Sequence, residues 1–172
     1  AALLALGRAE TTKLAFGSCS KPSLPQPLWD AIGAWGPDVW VWGGDNVYAD
    51  IRPTRAQKAA GETVWRWVGP NATRALYDAQ RAVEGYAALV ARDGVRVFGT
   101  WDDHDFGRND GGRDVPHKDE TQRLMLDFLG AGARDARRSR PGVYSIERLR
   151  RTTNSSSASS SEAAGGARGG DY

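Results

Sequence analysis

The sequence predicts an α/β fold, a βαβαβ order with mainly parallel strands. Short apolar runs that end in glycine or small residues alternate with longer stretches of helical periodicity. One run, Val39 to Trp42, is apolar on both faces, as a central strand of a parallel sheet must be. A length of 172 residues suits one domain with a real core plus a tail, and is short for two.

The first element is TKLAFGSCS, residues 12–20, where β-branched and aromatic residues give way to turn formers; this predicts a short buried strand with Cys19 at its carboxyl end. After the turn KPSLPQP, residues 28–36 place Leu28, Ile32 and Trp35 at helical spacing, with Gly36-Pro37 as a stop. DVWVWGGD, residues 38–45, is the second strand, with Trp40 and Trp42 read as core. Residues 72–94 carry the longest helical pattern, with Leu76, Val83, Ala87 and Val90 along one face and Gly94 as terminator. VRVFGTW, residues 95–101, is the third strand. Right-handed crossovers make such strands parallel, and ligands gather at their carboxyl ends. Cys19, Asp45 and the run from Asp102 to Asp105 all fall there. Further on, residues 119–130 set Leu124, Phe128 and Leu129 on a helical stripe closed by Gly130, and GVYSI is expected to start a fourth strand.

This divides the chain into an N-terminal extension (1–11), a domain (12–150) and a Ser/Ala/Gly-rich tail (151–172). The tail has almost no apolar residues and is expected to be disordered, because it cannot bury enough surface to offset chain entropy. The net charge is only +2, yet residues 134–151 hold seven arginines against Asp135 and Glu147. With Tyr144 as its lone aromatic, that run reads as a solvated face or linker, and nucleic-acid binding is not expected. One cysteine excludes an internal disulfide. No run approaches the roughly 18 apolar residues of a membrane span. AALLAL is too short for the apolar core of a complete signal peptide, so no compartment is assigned. His117, in DVPHKDE, reads as a surface loop residue.

The chemistry concentrates in two stretches. GTWDDHDFGRND, residues 99–110, crowds Asp102, Asp103, His104 and Asp105 together, which repulsion disfavours unless a cation or solvent takes up the charge. GGDNVYAD, residues 43–50, brings Asp45 and Tyr48 to the neighbouring strand end. Either loop alone reads as a solvated acidic turn. Together they suit two metals roughly 3.5–4 Å apart, the spacing used for phosphoryl transfer, with histidine as ligand or proton donor. A calcium loop of the EF-hand kind does not fit, because counting from Asp103 puts Gly107 fifth and Asp114 in place of the final glutamate. Cys19 is either a packed thiol or a soft ligand suited to iron or zinc. Tyr48 is either core packing or a phenolate that would select a ferric ion.

In order along the chain, FGSCS, PDVWVWGGDNVYAD, TWDDHDFGRND and DETQRLMLDFLG followed by RRSRPGVYS resemble the blocks of the alkaline phosphatase D-like (PhoD-like) metallophosphatases, members of the calcineurin-like phosphoesterase superfamily. The resemblance runs from about Lys13 to Ser145. It implies the N-terminal half of an α/β/β/α sandwich that hydrolyses phosphomonoesters or phosphodiesters. It also implies that Cys19 and Tyr48 bind a ferric ion, that Asp45 is shared between metals, and that Asp103, with Asp102 as a further candidate, serves a second metal. That metal is calcium in some members of the family, and another divalent ion is possible. His104 would stand beside the phosphate as proton donor or stabiliser. The family's later strands bring further histidine and aspartate ligands, whereas PGVYSIERL is followed here by serine, alanine and glycine with no further histidine. The expectation is an incomplete domain with low or no activity alone, whose open sheet invites association. The alternative is a non-catalytic metal- or partner-binding remnant.

Overall fold

A computed structural model describes residues 11–149 of the chain. The elements follow as β1 (Leu14–Gly17), α1 (Leu28–Trp35), β2 (Val39–Gly43), β3 (Asp50–Ile51), α2 (Arg55–Ala59), β4 (Arg66–Trp67), α3 (Pro70–Arg81), α4 (Glu84–Val90), β5 (Arg96–Thr100) and α5 (Lys118–Phe128). A 3-10 turn, Ala136–Arg138, comes after α5. The fold is mixed α/β, with a parallel sheet in the order β1-β2-β5. The most apolar run takes the centre, as its two-faced pattern requires. Among the described residues the second sheet is only the antiparallel ribbon β3–β4. No helix among them is long and apolar enough to cross a membrane. The 151–172 tail lies outside the described residues, as do residues 1–10.

The core sits on the helical side of β2. Trp40 and Trp42 are almost fully buried, with Trp29 of α1 edge-on to Trp40 at 4.7 Å. Tyr86 of α4 meets Trp42 at 5.4 Å and its hydroxyl accepts the indole N–H at 3.1 Å. Phe128 of α5 closes the cluster at 5.8 Å from Trp42. Edge-on aromatic pairs add about 0.5–1.5 kcal/mol each beyond their buried area, so this cluster fixes β2 firmly under the helices.

Several expectations are corrected. β1 is not buried: it is the sheet edge, and Phe16 is 77% exposed. In α1 the buried residue is Trp29, not Leu28 or Trp35, because the helix turns its Trp29 side to the β2 tryptophans. The pattern over 72–94 is two helices. Val83 is extended (φ −59°, ψ 116°) and redirects α4 across α1. There Gly85 is needed, since a Cβ would lie 2.4 Å from the Cβ of Trp29. GVYSI forms no strand; the Gln122 side chain holds this stretch instead, accepting from Gly142 N–H at 3.0 Å and donating to the Arg140 carbonyl at 2.8 Å. His117 is not a loose surface residue, since its ring stacks on Trp67 at 4.1 Å and Nε2–H donates to the Phe106 carbonyl at 2.6 Å. Part of the arginine run is structural, because Arg137 makes a bidentate pair with Asp135 and Arg138 reaches Asp127.

Candidate metal centre

The turns after β1 and β2 share an unusual backbone. Cys19 (φ 57°) and Asp45 (φ 50°) both occupy the left-handed region. A side chain there costs about 1–2 kcal/mol, and non-glycine residues held in it cluster at functional sites. The two turns are tied together: Cys19 N–H donates to the Gly44 carbonyl at 3.3 Å, and Ser20 N–H to the Asp45 carbonyl at 2.8 Å. Ser20 is anchored in turn on the buried Gln80 amide at 2.8 Å.

This backbone brings the thiol and the phenol to one carboxylate oxygen. Cys19 Sγ lies 3.6 Å from Asp45 Oδ2, and the Tyr48 hydroxyl donates to the same atom at 3.4 Å. Cys19 is exposed, so the packed-thiol alternative does not apply. Asp45 also belongs to a second set: it, Asp103 and His104 each offer a ligand atom, all within 4.8 Å of one another. Asp102 stands outside that triad, exposed, its Oδ1 accepting the Asp103 N–H at 2.9 Å.

Asp105 has a different task from its neighbours. It is 1% exposed and accepts from Asn46 N–H at 3.1 Å, Val47 N–H at 3.3 Å, Tyr77 O–H at 3.0 Å and Asp102 N–H at 3.0 Å. One carboxyl group thereby fastens the loop after β2 to the loop after β5. Gly44 lets them close up, since its φ is 101° and a Cβ would meet the Cβ of Asp102 at 2.7 Å.

His104 is aimed by Asp50. Nδ1–H donates to Asp50 Oδ2 at 2.8 Å, with the Asp50 side chain 1% exposed. The β3–β4 ribbon sets that carboxylate in place, and Val68 N–H and the His104 carbonyl both bond to Ala49 beside it. The Tyr48 ring lies 4.1 Å from that of His104, tilted by 35°, and the Lys21 ammonium sits 4.0 Å over Tyr48.

The electrostatics favour a cation. Burial holds the Asp45 carboxyl above its usual range; Asp103 and Asp102 push it the same way, against His104 and the Cys19 thiol. Burial, Asp45 and Cys19 likewise push the Tyr48 phenol upward. Such shifts are reversed when a cation sits among the groups. Asp45 Oδ1 is buried with no hydrogen-bond partner among the described residues, and so is Asp50 Oδ1. A buried carboxylate oxygen left unpaired is costly, and a metal ligand is one way to be satisfied. The donors present therefore fit a metal: thiol, phenol and carboxylate on one side of Asp45's chemistry, carboxylate and imidazole on the other.

Comparison with known protein families, with curated proteins and with solved structures finds no match.

Two residues beside the candidate centre escape the sequence reading. Asp50 stands in the quoted GGDNVYAD stretch, but only the ribbon turns its side chain toward His104. Trp65, whose ring is 5.6 Å from that of His104, lies in a segment with no periodicity to mark it.

Proposed function

We propose that the chain is a metal-dependent phosphoric ester hydrolase of the PhoD-like kind, with Cys19, Asp45, Tyr48, Asp103 and His104 at its centre. The observation that carries this reading is the convergence of two strained turns on one buried carboxylate, Asp45, which contacts a thiol–phenol pair and lies within 4.8 Å of an aspartate–histidine pair. Thiolate with phenolate suits a ferric ion; the Asp45 and Asp103 carboxylates suit calcium or another divalent ion, with His104 beside the phosphate. Asp102 adds negative charge beside the second position.

Bound metals supply Lewis acidity to a phosphoryl oxygen and a water acidified to a nucleophile. The side chains do the rest. Asp50 holds Nδ1–H of His104, so Nε2 is the nitrogen left for the departing oxygen, and the imidazolium form gives its Nε2 proton there. Lys21, over Tyr48 at the rim, draws an anionic ester toward the centre. Association is expected at the β1 edge, where Phe16 stands out to solvent; sedimentation at monomer mass would count against it.

The test is metal content by mass spectrometry on wild type, Cys19→Ala and Asp45→Asn, with p-nitrophenyl phosphate hydrolysis on the same samples. Near-stoichiometric iron is expected in wild type, with low turnover, and both are expected to be lost in the variants. A folded protein that binds no metal would sink the reading. Metal without turnover would leave the non-catalytic, metal-binding alternative.

A further inference from the structure

A cleft opens beside the imidazole. Thr63, Val64, Trp65, Arg108, Asn109 and Asp110 line a cavity of about 330 Å³. It meets the centre at two points. Trp65 is edge-on to the His104 ring, with centroids 5.6 Å apart at 62°. The Asp110 N–H donates to Asp103 Oδ2. The lining combines an indole with a guanidinium that is loosely engaged, since Arg108 lies 3.8 Å from the exposed Asp114. A surface pair of that length contributes little, so Arg108 can turn to a ligand.

We propose that this cleft receives the alcohol half of the ester and favours a planar aromatic alcohol. The inference rests on the phosphoric ester reading above. A proton donor must lie within hydrogen-bond reach of the oxygen it protonates, and Trp65 of the cleft wall stands edge-on to the His104 ring. In the step, the P–O bond to the alcohol breaks and its electron pair stays on the alcohol oxygen, which takes the proton from His104. Water supplies the oxygen of the new P–O bond, and the proton it releases restores His104. The ester and water become phosphate and alcohol. An aromatic ring gains a stacking partner in Trp65 and a planar cation in Arg108. The volume is at the small end for ligand sites and suits a single ring system. A second cavity, about 350 Å³, is lined by Cys19, Leu24, Leu28, Trp29 and Trp40; His104 lines neither cavity, and Trp65, edge-on to its ring, belongs to the first.

The experiment uses the metal-loaded chain as wild type, Trp65→Ala, Trp65→Phe and Leu24→Ala, each checked for folding by circular dichroism. The first readout is kcat/KM for phenyl phosphate and for an alkyl phosphate of similar size. The second is calorimetric binding of phenylphosphonate and methylphosphonate. Expected is a loss of about tenfold for the aryl ester in Trp65→Ala, little change for the alkyl ester, retention in Trp65→Phe, and no change in Leu24→Ala. Wild type should bind phenylphosphonate more tightly than methylphosphonate, and Trp65→Ala should bind them alike. Equal losses for both esters in Trp65→Ala, or loss of the aryl preference in Leu24→Ala, would overturn the inference while leaving the hydrolase reading intact. A metal-loaded wild type that neither turns over an ester nor binds a phosphonate would overturn both.

Discussion

His104 Nδ1 and Asp50 Oδ2 are 2.8 Å apart, joining the loop after β5 to the short ribbon that follows the loop after β2. Asp50 touches no other group of the candidate centre in a hydrogen bond, so it acts through the imidazole. Asp50→Asn keeps the shape and removes the charge. The expected result is a fall of about 10–100-fold in kcat with KM nearly unchanged, as for other carboxylates that orient a histidine. A change confined to KM would mean that Asp50 does not position His104.

Asp105→Ala should destabilise the chain by about 3 kcal/mol or more, because several buried donors lose their acceptor at once. Urea unfolding measures it. A loss below about 1 kcal/mol would show that the two loops are held by something else.

Burial pushes the Asp105 carboxyl from 3.8 up to about 7, although its donors pull the other way. A carboxyl whose folded value is raised binds its proton more tightly in the folded chain. Its contribution is therefore complete below about pH 4 and lost as pH rises through about 7. The urea midpoint of metal-free wild type, compared with Asp105→Asn, should fall over that window. A flat difference would contradict it.

Asp135 has the opposite sign. Arg137 holds its carboxyl down to about 2, below the ordinary 3.8. Stability from this pair is present above about pH 4 and lost as pH falls through about 2. The pair is largely shielded, and about 1 kcal/mol is expected between wild type and Asp135→Asn at neutral pH, shrinking toward zero in acid. A gap that persists at pH 2 would rule this out.

Cys19→Gly and Cys19→Ala should both lose iron, yet Cys19→Gly should be the more stable by about 1 kcal/mol, since glycine relieves the left-handed strain. Equal stability would mean that the turn relaxes when the thiol is removed.

The sequence made the strand order and the strand-end position of Cys19 and Asp45 legible, because both follow from apolar runs and the turn residues that end them. It could not separate Asp105 from Asp102 and Asp103. All three are the same chemical group, and only the direction of each side chain makes one a tie, one a rim charge and one a ligand candidate. The break at Val83 was hidden because the apolar spacing continues through it, and the chain bends to lay Tyr86 and Leu89 over α1. β3 and β4 have two residues each, too few for any alternation to appear.

The Asp105 tie also has a consequence for synthesis. Cys19, Asp45 and Tyr48 leave the ribosome before the strand that completes the sheet, and the carboxyl group that fastens the loops comes sixty residues after Asp45. Until then the two turns have each other and Gln80 to bond to, but the loop after β2 lacks the acceptor that Asp105 supplies to Asn46 and Val47. Pairing of such distant segments is slow compared with helix formation. The last tie between the two loops is thus available only once residue 105 has been made.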